Sequence, residues 1–382
     1  MAAGAELTTG RPGRLAANWR GLNGPARLAG IDLARGLAVI GMLAAHLLVT
    51  DDLVWTDPAT WTGIVDGRSS ILFATLAGIS IGLLTGGRTP VRGERLARAA
   101  TGLAVRALII WVLGILLIAT GVPVYVILPA YAILFLLVLP LLTLRPVILF
   151  GIAVGLGVVT PWVYAAIMML PMWQTPGVED ASLLIGWQYP FVVWSTFVVA
   201  GLGVGRVDLR SGSVQAALVL FGAGIAAIAY GLAPPEGRRD AAASASLVDA
   251  VWTAEPHSSG VLEVFGSGGF ALAVVGLCLL ACRPWWRGGV VGPLGWAALP
   301  LRALGSMPLT AYAGQILAWA IAATILLGSP SDLFGFRALH PFGSFVFWSI
   351  VGCTAWALLM GRGPLEAVVA AAVRRTASRI VR

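Results

Sequence analysis

Ten long apolar stretches recur along the chain, separated by short polar or proline-containing segments. A helix of about 20 apolar residues can cross the hydrocarbon core of a bilayer. A single helix satisfies its own backbone hydrogen bonds in lipid, so the pattern favours helices over isolated strands. It predicts an all-α, polytopic transmembrane bundle of about ten helices, although short breaks near Pro123 and Arg145 leave nine or eleven open. The predicted spans are 33–50, 69–86, 101–121, 124–143, 147–170, 187–205, 215–233, 261–282, 308–328 and 343–361.

Composition supports a lipid-facing surface. Hydrophobic residues make up 58% of the chain and charged residues 11%, whereas a soluble domain carries about 25% charged residues. So few charges cannot cover a water-facing surface of this size.

The arginines predict the orientation. All 25 basic residues are arginine, and with the N-terminus in the cytoplasm all but four fall on the cytoplasmic side. This is the bias of cytoplasmic loops towards positive charge, and it predicts that both termini are cytoplasmic. It also accounts for the net charge of +8 without a nucleic-acid partner. We therefore divide the chain into a cytoplasmic segment (1–30), a transmembrane domain (31–362) and a basic cytoplasmic tail (363–382).

The first predicted span and Asp32, which directly precedes it, provide three polar side chains that are costly to bury in lipid. Asp32 and Arg35 are three residues apart and can form an ion pair on one helix face. His46 follows Arg35 by eleven residues, which is about three turns, so both side chains point the same way about 16 Å apart. Arg35 could hold the phosphates of a cytoplasmic cofactor, and His46 could act as a general base deeper in the membrane, at the far end of a single chamber that both side chains face. The alternative is that Arg35 is a headgroup anchor and His46 a packing residue.

Further candidate residues lie in or near the predicted outer loops. His257 is flanked by Glu255 and Ser258 before the eighth span, where the three could line an acceptor site or simply be solvated. Asp66 and Arg68 begin the second span, either as part of a pocket or as a helix cap with a local ion pair.

Two polar residues of the ninth span are also candidates. Tyr312 and Gln315 are three residues apart, so they could line a cavity or form hydrogen bonds between helices. The sequence lacks a P-loop, a His-Glu-x-x-His motif and a Gly-x-Ser-x-Gly elbow, and it predicts no metal site.

Several segments resemble known membrane acyltransferases. The first helix begins DLARGLA (32–38) and carries His46, which is similar to the first helix of the integral-membrane acyltransferase-3 family. Segments 65–83, 256–279, 305–315 and 362–368 resemble bacterial relatives of heparan-alpha-glucosaminide N-acetyltransferase, and most of all a bacterial membrane family of unknown function in the same superfamily. Two positions depart from the pattern. Pro58 stands where heparan-alpha-glucosaminide N-acetyltransferase, a lysosomal enzyme, has its catalytic histidine. Gln315 stands where many bacterial relatives have histidine.

The resemblance implies transfer of an acyl group across the membrane. Acetyl-CoA or another acyl-CoA would bind from the cytoplasm at Arg35 and Asp32, with His46 and His257 as catalytic residues. The acceptor would be an extracytoplasmic sugar or metabolite, and the protein would be a multi-pass protein of a bacterial plasma membrane. A homodimer remains open. The alternative function is a transporter or flippase for a small molecule or lipid, which would have a mid-membrane site gated on both sides.

Overall fold

All ten apolar stretches are helical in the structure, a computed structural model that describes residues 13–54, 56–233, 246–284 and 290–377. Eight of them lie in helices that are long and apolar enough to cross a membrane. The fourth and sixth occupy the shorter apolar helices Leu128–Leu137 and Phe191–Val204. No strand occurs among the described residues. The predicted all-α, polytopic helical bundle is therefore confirmed.

The helices are numbered here in chain order. They are α1 (Arg14–Asn23), α2 (Ala29–Leu47), α3 (Arg68–Leu84), α4 (Gly93–Ile118), α5 (Leu128–Leu137), α6 (Pro146–Met168), α7 (Val178–Ile185), α8 (Phe191–Val204), α9 (Gly212–Gly231), α10 (Leu247–Val251), α11 (Val261–Ala281), α12 (Pro293–Ala297), α13 (Leu299–Gly305), α14 (Pro308–Leu327), α15 (Leu333–Ala338), α16 (Phe342–Leu359) and α17 (Pro364–Ala377). Short 3₁₀ helices occupy Pro58–Val65, Leu139–Leu141 and Pro171–Gln174.

Helix α2 lies at the centre of the bundle. In the most apolar 18-residue stretch of α2, 72% is buried inside the protein, compared with 11% in the corresponding stretch of α16. Its close neighbours are α3, α11 and the short helix α13. Gly36 and Gly305 permit the contact with α13, because a Cβ at Gly305 would lie 1.8 Å from the carbonyl oxygen of Asp32. The polar residues of α2 are therefore enclosed by protein rather than by lipid.

Helices α3 and α8 pack through two small-residue motifs. Gly78 and Gly82 of α3 face Gly201 and Gly205 of α8, and a Cβ at Gly201 would lie 2.0 Å from the carbonyl oxygen of Thr75. The Gly-x-x-x-Gly spacing lets two helix backbones approach this closely within a membrane. This contact helps to hold α3 in place beside α2, the helix that carries Arg35 and His46.

Both terminal helices lie at the same end of the bundle. The Asn18 side chain of α1 donates a hydrogen bond to the carbonyl oxygen of Leu358 near the end of α16 (3.0 Å), and α17 packs against α4 and α14. This arrangement fits an even number of membrane crossings. Residues 1–12 of the predicted N-terminal segment and 378–382 of the predicted tail lie outside the described residues.

Two arginines assigned to the cytoplasmic loops from charge alone have a different role in the structure. Arg302 has no exposed surface, and its guanidinium donates to the carbonyl oxygens of Gly295 (2.9 Å) and Leu22 (3.3 Å) and to Asn23 Oδ1 (2.9 Å). Arg206 is 3% exposed and closes the end of α3 in the same way. Because both groups are buried and hydrogen-bonded, they hold helix ends together rather than contact headgroups.

Candidate functional site

A cavity of about 720 Å³ opens beside Arg35 at the end of the bundle that contains α1 and α17. Its wall consists of residues from α1, the start of α2, α3, α4, α5, α14 and α17. Its charged residues are four arginines and one carboxylate, so its charge is positive. They are Arg27, Arg35, Arg106, Arg362 and Glu366. Deeper in the cavity the wall becomes apolar and aromatic, with Phe73, Leu128, Tyr131, Phe135 and Tyr312.

Asp32 orders two of these arginines. Its carboxylate is 2% exposed and accepts from Arg27 Nε (2.5 Å) and Arg35 Nη1 (3.1 Å). The second Arg35 nitrogen donates to Ser80 Oγ on α3 (2.6 Å). Asp32 and Arg35 thus form the predicted ion pair, and the structure adds Arg27, which sequence spacing did not select. The two guanidiniums are fixed at the cavity wall, where an anionic group can reach them.

A second cavity of about 180 Å³ lies at the other end of α2. His46 and His257 both line it, as does Asp66, so residues from three separate parts of the sequence meet there. Asp66 accepts a hydrogen bond from Thr50 Oγ1 (2.7 Å). Arg337, an outer-loop arginine that the sequence did not mark as a site residue, also lines this cavity. It donates to the carbonyl oxygens of His46 (2.9 Å) and Ala45 (3.3 Å) and so caps the end of α2.

His257 lies at the mouth of this smaller cavity. Part of its ring is exposed, yet the surrounding protein desolvates it enough to lower its pKa, while the Asp66 carboxylate opposes that shift. Its backbone has a φ of +65°, in the left-handed region that few non-glycine residues adopt. A residue held in this conformation beside a second histidine is typical of a functional site.

The two cavities are separate, which differs from the single chamber that the sequence predicted between Arg35 and His46. Among the described residues, none lines both. Tyr131 and Tyr312 close the inner end of the larger cavity, and Tyr189 lies in the wall of the smaller one. Tyr131 is within electrostatic reach of the other two phenols, and the three side chains are called the tyrosine layer below.

The remaining predicted residues divide between packing and the site. Tyr312 lines the larger cavity, and its hydroxyl accepts from the backbone N–H of Ile127 (3.3 Å). Gln315 instead donates to Ser349 Oγ on α16 (3.2 Å), so it forms a hydrogen bond between helices and does not line either cavity. Arg68 is buried beneath the smaller cavity and bonds Tyr230 (2.9 Å) rather than Asp66.

The two residues that flank His257 lie outside the walls of both cavities. Glu255 is exposed, and the Ser258 hydroxyl donates to the carbonyl oxygen of Glu255 (2.7 Å). His340 is exposed and lines neither cavity.

One residue of the site had a sequence signal that was overlooked. Glu263 is the single carboxylate within the ten predicted spans, and an ionisable group inside a membrane segment is a candidate functional residue by default. In the structure its carboxylate accepts a hydrogen bond from the backbone N–H of His257. Within the described parts of the chain, no group of three or more His, Cys, Asp or Glu residues could hold a metal ion.

Comparison with known proteins identifies the family. The family model of the catalytic domain of heparan-alpha-glucosaminide N-acetyltransferase matches residues 27–230, more than half of the chain. The match covers Arg35, His46 and Asp66 but ends before His257 and Arg337. Searches of curated proteins and of solved structures find no match. With its apolar helices, the chain is a multi-pass membrane protein that belongs to the heparan-alpha-glucosaminide N-acetyltransferase catalytic family.

Proposed function

We propose that this protein transfers an acyl group, normally acetyl, from cytoplasmic acyl-CoA to a hydroxyl or amino group on the outer side of a bacterial plasma membrane. The acceptor is a sugar or another component of the cell envelope. One observation carries the proposal: α2 places Arg35 in a large basic cavity and His46 in a small cavity at its other end. The two residues are about 16 Å apart along the helix axis.

The larger cavity suits the donor. A guanidinium binds phosphate oxygens through two parallel hydrogen bonds, and Arg27, Arg35, Arg106 and Arg362 all line this cavity. Coenzyme A combines a phosphorylated nucleotide with a long uncharged arm that ends in the thioester. The nucleotide would bind at the arginines, and the arm would extend along the apolar wall towards Tyr131.

The smaller cavity suits the reaction. His46 removes the proton from the acceptor hydroxyl or amine as that atom attacks the thioester carbonyl carbon. A C–O or C–N bond forms, the C–S bond breaks, and the CoA sulfur leaves as a thiolate that takes up a proton. Arg337 places positive charge beside the carbonyl oxygen that becomes negative. His257, across the cavity, holds the acceptor group.

The tyrosine layer has to open for this reaction. Because Tyr131, Tyr189 and Tyr312 separate the two cavities, the thioester reaches His46 after those side chains move apart. The small volume of the outer cavity, about 180 Å³, admits the thioester end and the reacting group of the acceptor. The bulk of a sugar acceptor would stay outside its mouth.

The test compares variants of the purified protein in lipid nanodiscs. Binding of labelled acetyl-CoA and release of CoA, with water or envelope glycans as acceptor, are measured for wild type, Arg35→Ala and His46→Asn. We expect Arg35→Ala to raise the KM for acetyl-CoA with little change in kcat. We expect His46→Asn to lower kcat about 10²- to 10⁴-fold, the usual contribution of a general base.

Matched controls are available for both changes. Arg98 is an exposed arginine on α4 that pairs with Glu94 (3.1 Å) and lines neither cavity, so Arg98→Ala should bind acetyl-CoA as the wild type does. His340→Asn removes a histidine outside both cavities and should keep full turnover. A wild-type protein that neither binds acetyl-CoA nor releases CoA would overturn the proposal and favour the transporter alternative.

A further inference from the structure

The loop that carries His257 has an unfavourable backbone conformation. His257 and Ser259 have φ values of +65° and +58°. The left-handed region costs a non-glycine residue about 1–2 kcal/mol. Two such residues within three positions persist when the surrounding structure holds them, so the contacts that hold this loop determine where the imidazole lies.

Glu263 makes these contacts. It lies in the first turn of α11 and is 4% exposed. One carboxylate oxygen accepts the backbone N–H of His257 (2.6 Å), and the other accepts the backbone N–H of Ser259 (2.6 Å). Both left-handed residues therefore donate to the same buried carboxylate.

A second layer supports the carboxylate. Gly67 has a φ of +66°, and a Cβ there would lie 3.3 Å from Glu263 Oε1, so a larger residue would crowd the contact. Arg68 is 5% exposed and lies within electrostatic reach of Glu263. Its guanidinium donates to Tyr230 Oη (2.9 Å), which also bonds Ser267 Oγ (2.9 Å). The buried carboxyl group thus lies near a guanidinium that is itself fixed by a hydrogen bond.

We propose that Glu263 is a positioning residue, whose carboxylate fixes the loop 257–259 so that His257 faces His46 across the smaller cavity. The inference rests on the proposed function, because it assigns the His257 imidazole a role in acyl transfer. It also explains why the single carboxylate of the ten predicted spans lies beside the candidate reaction site rather than in a loop. A plain helix cap is the competing explanation, since a carboxylate in the first turn often bonds backbone N–H groups before the helix.

The chain offers a matched control for that explanation. Asp249 is the corresponding carboxylate of α10, where it forms a capping box with Ser246, and it lines neither cavity. Steady-state kinetics are compared for Glu263→Gln and Asp249→Asn. We expect Glu263→Gln to lower kcat about tenfold to a hundredfold, the effect of a reacting group misplaced by about 1 Å, with the KM for acetyl-CoA unchanged. Asp249→Asn should change neither constant.

A double variant shows whether Glu263 acts through His257. If it does, Glu263→Gln should add no further loss of kcat to His257→Asn, because coupled residues are not additive. Asparagine is suitable at position 257 because it tolerates the left-handed conformation. Losses that multiply in the double variant, or equal losses in Glu263→Gln and Asp249→Asn, would overturn the inference and leave the acyltransferase proposal intact.

A readout that does not depend on turnover separates the two proposals. The chain has three histidines, so selective ¹³C labelling gives three resolvable imidazole signals. In Glu263→Gln we expect the His257 signal to shift and broaden as the loop leaves its fixed conformation, while His340 stays unchanged. If the wild type shows no acyl transfer, the proposed function fails, and the His257 signal still decides whether Glu263 fixes this loop. An unaltered His257 signal would refute the positioning role.

Discussion

Replacing Arg206 with lysine should destabilise the protein strongly although it conserves the charge. The guanidinium is buried between the end of α3 and the loop after α5. One terminal nitrogen, which has two N–H donors, lies within hydrogen-bonding distance of the carbonyl oxygens of Gly82 (2.9 Å), Thr85 (3.1 Å) and Gly87 (3.0 Å). The other donates to Thr85 Oγ1 (2.7 Å) and to the carbonyl oxygen of Leu142 (2.5 Å). The two terminal nitrogens carry four N–H donors, whereas a lysine has three on one nitrogen, so at least one hydrogen bond is lost.

The size of the effect follows from burial. Water does not replace the lost donors in a buried site, and a hydrogen bond to a charged group contributes about 1.5–3 kcal/mol. One lost bond therefore lowers the free energy of unfolding by about 1.5–3 kcal/mol. At about 2–4 °C per kcal/mol, the value for soluble domains of 150–250 residues, the expected fall in Tm is about 3–12 °C.

The cysteines of the chain provide the assay. Cys278, Cys282 and Cys353 are free and buried, so a thiol-reactive fluorophore reports unfolding in detergent. Arg98→Lys, at an exposed position, is the control and should unfold at the wild-type temperature. Should Arg206→Lys unfold together with Arg98→Lys, the hydrogen-bond argument is wrong and Arg206 acts merely as a positive charge.

Three further predictions concern packing, pH and the donor cavity. Gly201→Ala should lower the free energy of unfolding by about 1–3 kcal/mol because its Cβ would meet the carbonyl oxygen of Thr75, whereas Gly224→Ala, with open space around it, should not destabilise. As the pH falls below about 6.5, wild type should lose stability relative to His257→Asn. Burial lowers the pKa of His257 in the folded protein, so the unfolded chain takes up the proton first; equal pH profiles in the two proteins would contradict this. Tyr131→Phe should raise the KM for acetyl-CoA without lowering Tm, because the buried hydroxyl has no partner among the described residues; a lower Tm with an unchanged KM would show that it stabilises the fold instead.

The sequence predicted the membrane helices well because their signal is local. A span needs about 20 apolar residues wherever its neighbours lie, so ten stretches could be found without knowing any contact. The short helices α12 and α13 were not predicted. Their packing against α2 depends on the contact between Gly36 and Gly305. Residue spacing within one segment cannot show that two distant glycines meet. The distribution of charges likewise could not distinguish exposed arginines from buried ones. Arg206 and Arg302 lie on the predicted cytoplasmic side but are buried.

The candidate site was predictable within one helix and much less so between helices. Asp32, Arg35 and His46 were selected from the period of α2; Asp32 and Arg35 pair in the structure, whereas Arg35 and His46 line separate cavities. The meeting of His46 with His257 depends on how α2 packs against the loop before α11, and Arg337 arrives from a loop far along the chain. Glu263 could have been selected as the one carboxylate of the predicted spans. Its role became visible through two left-handed residues that donate to it.

The separation of the two cavities has a physical rationale under the proposed function. A single water-filled chamber from Arg35 to His46 would let ions and protons cross the membrane whenever the donor is absent. Tyr131 and Tyr312 instead line the basic cavity and Tyr189 the histidine-lined one, and under the proposed function these side chains form a barrier that stays closed until the donor displaces them. The charged nucleotide of acyl-CoA is held by the arginines and never needs to enter lipid, where a charge is costly. Under the proposed function, the uncharged thioester arm would pass the aromatic layer at little cost, and the acyl group would cross the membrane while its charged carrier stays on one side.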